Sequence, residues 1–222
     1  MAFFSLVAVV ATLSLGLLAM PLASSWPGWW GRVTLKLLGV KAEYTGLEHL
    51  RSGRSVIVVV NHQSGLDVPV VAALSPRSPL CLAKKELRWF PGFNLVWWSH
   101  GQVFVDRSNP ARATEALEQV AARCREQPRT VILAPEGTRS RDGTLGRFKL
   151  GAFRLAVATG APIVPVVVRG AGSLMPPGRW WVQPGKVTVE VKAPVATEGW
   201  TLDNVREHAD ALEDDYRGWL AG

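Results

Sequence analysis

Cysteine is scarce in this chain: Cys81 and Cys124 are the only two in 222 residues. Both lie inside apolar runs and neither belongs to a metal-binding spacing, which excludes a disulfide framework and points to a reducing compartment. Charge is missing from the first 23 residues, MAFFSLVAVVATLSLGLLAMPLA. No Lys or Arg precedes that apolar run, so the basic leader segment of a secretory signal is absent, although PLASS offers small residues for cleavage. There is no internal repeat and no low-complexity tract. Acidic residues are the minority, 18 Asp and Glu against 25 Lys and Arg, for a net charge of +7. That balance favours anionic partners: nucleic acid, an acidic membrane surface or a phosphorylated substrate. No known nucleic-acid-binding motif is present, and nucleic-acid binding would leave the apolar start unexplained.

The charge-free start has about the length that crosses a hydrocarbon core. Trp26, Trp29 and Trp30 follow it, then Arg32, Lys36 and Lys41. This is the order of an interfacial aromatic belt and a cytoplasmic basic flank. We therefore expect residues 1–40 to form an N-terminal membrane-anchoring helical segment, with the rest of the chain facing the cytoplasm. The stretch WWGRVTLKLL, residues 29–38, suits either an amphipathic helix lying on the membrane or a linker helix packed on the domain.

From residue 41 to 222 the pattern is that of one α/β domain. Strand-like runs are SVIVVV (55–60), LCLA (80–83), QVFV (102–105), TVILA (130–134), PIVPVVV (162–168) and KVTVEV (186–191). Several are continuously apolar, as in strands covered on both faces. Helical stripes run through Ala113, Ala116, Leu117, Val120, Ala121 and Cys124, and through Leu202, Val205, Ala209, Leu212 and Tyr216. Such alternation predicts a mostly parallel or mixed sheet flanked by helices. Pro165, inside an apolar strand, suggests an edge or a bulge.

Four clusters can carry chemistry. NHQSGLD (61–67) follows the first strand and sets His62 and Asp67 around a turn at Ser64 and Gly65. A neutral imidazole takes a hydroxyl proton near pH 7 if a carboxylate fixes its tautomer and steadies the cation. Asp67, followed by Val68 and Pro69, is equally suited to a plain helix N-cap. APEGTRSRDGTLGRFKLGAF (134–153) carries Arg139, Arg141, Arg147 and Lys149 beside Gly137, a composition for holding phosphate or for a solvated basic loop. Glu136 is a candidate for holding Arg139 in place. GQVFVDRSN (101–109) and the pair Lys84–Lys85 say little in isolation.

Taken together, NH-x4-D (61–67), AKKEL (83–87), G-x2-F-x2-R (101–107), PEGTRS (135–140) and VPVVV (164–168) occur in an order and spacing that resemble the glycerolipid acyltransferases. The resemblance is strongest to the bacterial 1-acyl-sn-glycerol-3-phosphate acyltransferase branch and spans about residues 40–195. It implies that His62 is a general base and Asp67 its orienting partner. It further implies that Lys84, Gly101, Phe104, Arg107, Glu136, Gly137, Thr138 and Arg139 hold the acceptor's glycerol phosphate. Pro165 falls in the block associated with the acyl donor or the acyl chain.

The implied reaction moves a fatty acyl group from acyl-CoA or acyl carrier protein to the sn-2 hydroxyl of 1-acyl-sn-glycerol-3-phosphate, giving phosphatidic acid. No metal or prosthetic group is expected, and the partners are the lysophospholipid, the thioester donor and membrane lipids, not nucleic acid. The expected location is a bacterial inner membrane. Transfer to another lysolipid such as lyso-ornithine lipid, or a non-catalytic membrane-anchored lipid-binding module, are the alternatives. A serine hydrolase is disfavoured because Ser64 lacks the G-x-S-x-G elbow. The chain departs from the family at FPGFN, where Asn94 stands in place of the expected glycine, which bears on chain-length or acceptor preference and not on the base.

Overall fold

The structure is a computed structural model and describes residues 26–74, 79–89, 102–106, 108–139, 143–179 and 181–221. The expected anchor at residues 1–23, the FPGFN stretch, Gly101, Arg107 and Arg141 lie outside the described residues.

Seven strands form one sheet in the order β1-β7-β6-β2-β5-β3-β4. They are β1 (Val40–Thr45), β2 (Val56–Val60), β3 (Leu80–Lys84), β4 (Val103–Val105), β5 (Thr130–Leu133), β6 (Ile163–Arg169) and β7 (Gly185–Val191). The run from β6 to β4 is parallel throughout, while β7 pairs antiparallel with β6 and parallel with β1. The sheet is therefore mixed, within a single α/β domain. Six strands match the apolar runs of the sequence. β1 has no such run: it is an edge strand, VKAEYT, whose Glu43 forms ion pairs with Lys41 at 3.1 Å and with Lys186 of β7 at 2.7 Å.

Strand alternation divides the core in two. Ile57 and Val59 of β2 face one layer with α3 (Pro110–Glu126), α4 (Gly151–Thr159) and α6 (Val205–Ala221). Val56, Val58 and Val60 face the other, with α1 (Trp26–Leu37), α2 (Asp67–Leu74) and the short α5 (Ala171–Leu174). All five residues of β2 are buried, as a strand covered on both faces must be. The stripe ending at Tyr216 begins later than its spacing suggests. Thr201 and Asn204 cap each other, with Thr201 N–H to Asn204 Oδ1 at 2.8 Å, so Leu202 falls in the turn and is 66% exposed.

Pro165 is not on an edge. It lies in β6, between β2 and β7, opposite Val59. The slip is on the β7 side: Val166 pairs with Val191, but Ile163 bridges Val195, so two β6 residues face three. A missing N–H is tolerated at such an interruption of the ladder.

Helix α1 packs on the domain, burying Trp30, Thr34 and Leu35, while Trp29 and Leu37 remain exposed. Gly31 makes the contact with α2 close: a Cβ there would stand 2.3 Å from Ala73 N and 2.5 Å from Pro69 O. Among the described residues no helix is long and apolar enough to cross a membrane. Both obstructing atoms are backbone and cannot rotate away, so Gly31→Ala must part the helices. Its expected cost is about 1–3 kcal/mol, read as a lower urea midpoint at unchanged m-value. An unchanged midpoint would mean that α1 is not packed on α2.

Candidate active site

Adjacent parallel strands deliver their following loops to the same edge of a sheet. β2 and β5 are such neighbours, with Val59 opposite Leu133. NHQSGLD leaves the first and APEGTR the second, so residues more than 70 positions apart emerge side by side. This carboxyl edge is where α/β proteins place their ligands.

The end of β2 is fixed before the turn begins. Asn61 is fully buried, and its carboxamide donates to Val168 O at 2.9 Å and accepts Val168 N–H at 2.8 Å. The side chain thus does for β6 what one more residue of β2 backbone would do. The chain then wraps around Asp67. Its Oδ2 accepts Gln63 N–H at 2.8 Å, Ser64 N–H at 2.8 Å and the His62 ring at Nδ1, 3.0 Å away. Asp67 is 3% exposed and opens α2, so it holds the turn at a helix start and the imidazole with one oxygen.

Facing a carboxylate, Nδ1 has to be the protonated nitrogen. The neutral ring then carries its lone pair on Nε2, and the His62 side chain keeps 27% of its surface open. Ser64 is otherwise engaged. It is fully buried, its hydroxyl donates to Met175 O at 2.9 Å and accepts Leu66 N–H at 3.2 Å, so it is a turn residue.

Glu136 belongs to this construction more than its sequence context suggests. Its Oε1 accepts His62 N–H at 2.7 Å and its Oε2 accepts Gly146 N–H at 3.0 Å. The carboxylate is 5% exposed, and burial pushes its pKa above the usual carboxylate range. It ties the backbone of the histidine to the loop after β5 and forms no ion pair with Arg139. Gly137 has φ +71°, and a Cβ there would meet the Lys149 side chain at 2.9 Å. A Cβ on Gly65 would stand 3.2 Å from the Met175 methyl and 3.4 Å from Arg139 Nη1. The Arg139 guanidinium therefore lies beside the turn that carries His62. Arg139 and Lys149 are both exposed, and among the described residues neither has an acidic partner. Thr138 is exposed beside them.

The structure thus gathers His62, Asp67, Glu136, Gly137, Thr138 and Arg139. It adds Gln63, whose amide donates to Gly143 O at 2.9 Å, and Lys149 and Met175. Lys84 and Phe104 sit on β3 and β4, two and three strands from β2, or roughly 10 and 15 Å by strand spacing. Lys84 pairs with Glu86 at 3.5 Å. Lys85 bonds Asp106 at 2.7 Å, and that bond, helped by Ser108, holds the Asp106 carboxyl at about 2. Pro165 is in the sheet interior below the edge. Neither thiol is activated: Cys81 lies in β3, and burial pushes it up to about 12.

The Acyltransferase family profile matches residues 41–169. The chain is 34% identical over 186 residues to the 1-acyl-sn-glycerol-3-phosphate acyltransferase of Haemophilus influenzae, covering 84% of this chain and 76% of that protein. It is 36% identical over 177 residues to the mouse 1-acyl-sn-glycerol-3-phosphate acyltransferase alpha, covering 79% of this chain and 62% of that one. The crystal structure of the 1-acyl-sn-glycerophosphate (LPA) acyltransferase of Thermotoga maritima superposes with a TM-score of 0.73 at 33% identity, over 86% of this chain and 76% of that chain. A buried carboxylate aiming an imidazole, with an arginine beside it, is thus set on the same fold as these proteins: the chain belongs to the acyltransferase family.

Proposed function

We propose that this protein is a 1-acyl-sn-glycerol-3-phosphate acyltransferase, with His62 as the general base. The 3.0 Å contact between Asp67 Oδ2 and His62 Nδ1, with the Arg139 guanidinium beside the same turn, carries the reading. The relatives' names supply the acceptor; charge and geometry supply the roles.

A lipid hydroxyl is a poor nucleophile until its proton is removed. In the proposed reaction it attacks the thioester carbonyl carbon while His62 Nε2 takes its proton. The tetrahedral intermediate collapses, the C–S bond breaks, and the thiolate recovers the proton from the imidazolium. The products are the new ester and a free thiol. Asp67 stabilises the imidazolium through Nδ1. No acyl-enzyme is required, in keeping with a buried, hydrogen-bonded Ser64 and an unactivated Cys81. The acyl thioester is itself the activated reactant, so the mechanism calls on no prosthetic group. Acyl-CoA and acyl carrier protein both present this group.

Arg139 supplies a planar donor fork for the acceptor's phosphate, assisted by Lys149 and the loop around Gly137. Fixing the phosphate positions the hydroxyl at the base. Glu136 supports the site through the His62 backbone. Lys84 and Phe104 belong to the outer acceptor side in this proposal, Gly101 and Arg107 share the acceptor-binding role, and Pro165 belongs to the acyl-donor or acyl-chain side. We place the enzyme on a bacterial inner membrane, held there by residues 1–40 with residues 41–222 as the catalytic domain.

His62→Ala is expected to lower turnover by on the order of 10²–10⁴-fold with the thermal midpoint kept, measured with defined thioesters and lysophosphatidic acid. Near-normal turnover would remove the base. Asp67→Ala should differ in kind. It leaves the Gln63 and Ser64 N–H groups unpaired, so about 1–3 kcal/mol of stability for each is lost along with activity. Arg139→Ala should raise KM for the phosphorylated acceptor about tenfold or more and leave that for the donor alone. An equal fall with a phosphate-free acceptor would contradict the phosphate role.

A further inference from the structure

The C-terminal helix reaches the catalytic edge through one side chain. Tyr216 of α6 is fully buried, and its hydroxyl donates to Val59 O at 2.6 Å and accepts Val166 N–H at 2.9 Å. In this register, with Val59 opposite Pro165, a regular parallel ladder pairs that carbonyl with that amide directly. The phenol therefore stands on the seam between β2 and β6, three residues before His62. Next along the same seam is the Asn61 carboxamide on Val168.

The ring is held in place. Phe148 meets it edge-on at 5.3 Å and 71°, and Trp219 packs from the other turn of the helix at 5.2 Å. The same helix grips the second active-site loop: Glu213 Oε2 accepts Phe148 N–H at 2.7 Å and Arg206 donates to Phe148 O at 3.1 Å. Phe148 directly precedes Lys149. Burial also pushes the Tyr216 phenol far above its ordinary range, so the hydroxyl stays protonated as a donor.

We propose that Tyr216 is a positioning residue for the acyl transfer: its hydroxyl sets the spacing of β2 and β6 and thereby the place of the His62 imidazole against the bound acceptor. This rests on His62 being the base. Without the hydroxyl, Val59 O and Val166 N–H are free to pair with each other. The seam closes, and the end of β2 moves with it.

The test compares Tyr216→Phe with Val120→Ala, a buried change on α3 with no side-chain polar group, in the full chain. Both are assayed below their melting transitions, with His62→Ala in parallel. The ring volume is kept in Tyr216→Phe, so kcat is expected to fall about tenfold with KM for both substrates unchanged, while Val120→Ala keeps its kcat at a comparable loss of midpoint. Wild-type kcat in Tyr216→Phe, or an equal kcat loss in Val120→Ala, would overturn the positioning role. Turnover surviving in His62→Ala would instead strike the base itself. If Tyr216→Phe does not fold, Tyr216→p-aminophenylalanine keeps a donor for Val59 but is a weak acceptor for Val166. A threefold or greater kcat loss is then expected, and full kcat overturns the proposal.

Discussion

One oxygen atom organises this site. Asp67 Oδ2 accepts two backbone N–H groups and the His62 ring, and each bond to a carboxylate is worth about 1.5–3 kcal/mol. The two backbone bonds close the turn; the third orients the imidazole. Because the three share one acceptor, the turn cannot loosen without releasing the histidine. A second buried carboxylate, Glu136, holds the same residue by its backbone from the neighbouring loop. The two acids divide the work: one governs the ring and the other the main chain from which it projects.

The sheet makes that division possible. β2 and β5 are parallel neighbours, so their loops share an edge and Glu136 needs to reach no further than one strand spacing. Both faces of β2 are packed, which leaves its end as the only place where polar groups can gather. There, the Tyr216 hydroxyl, the Asn61 amide and Glu136 follow one another along a few residues. Each satisfies a backbone N–H at this edge, that of Val166, Val168 or His62. The Arg139 and Lys149 cations are exposed and, among the described residues, have no acid partner, as suits a site for an anion.

Much of this is written locally in the chain. Apolar runs marked six of the seven strands, and spacing alone placed His62 and Asp67 around one turn. What was hidden depends on distance along the chain. β1 is an edge strand with charged residues and has no apolar run to announce it. Glu136 sits three residues before Arg139, which suggests a local pair, yet it bonds to His62, 74 residues away. Pro165 left an edge and a bulge both open, and the choice between them rests on the register slip against Val191 and Val195, far along the chain. Leu202 fitted a helical stripe, but the Thr201–Asn204 cap starts the helix after it. Tyr216 looked like one more core residue of that stripe. Its ring is indeed core, and only the partners of its hydroxyl, in β2 and β6, reveal a polar task. Met175 against Gly65 is likewise a contact between segments that carry no shared signal.

The central claim is that Asp67 fixes His62 as the Nδ1–H tautomer, leaving Nε2 free to accept a proton. Nitrogen-15 chemical shifts of the His62 ring in selectively labelled protein, taken at a pH where the ring is neutral, report this directly. The account predicts a protonated, pyrrole-type Nδ1 and an unprotonated, pyridine-type Nε2. A neutral ring with its proton on Nε2 would contradict it.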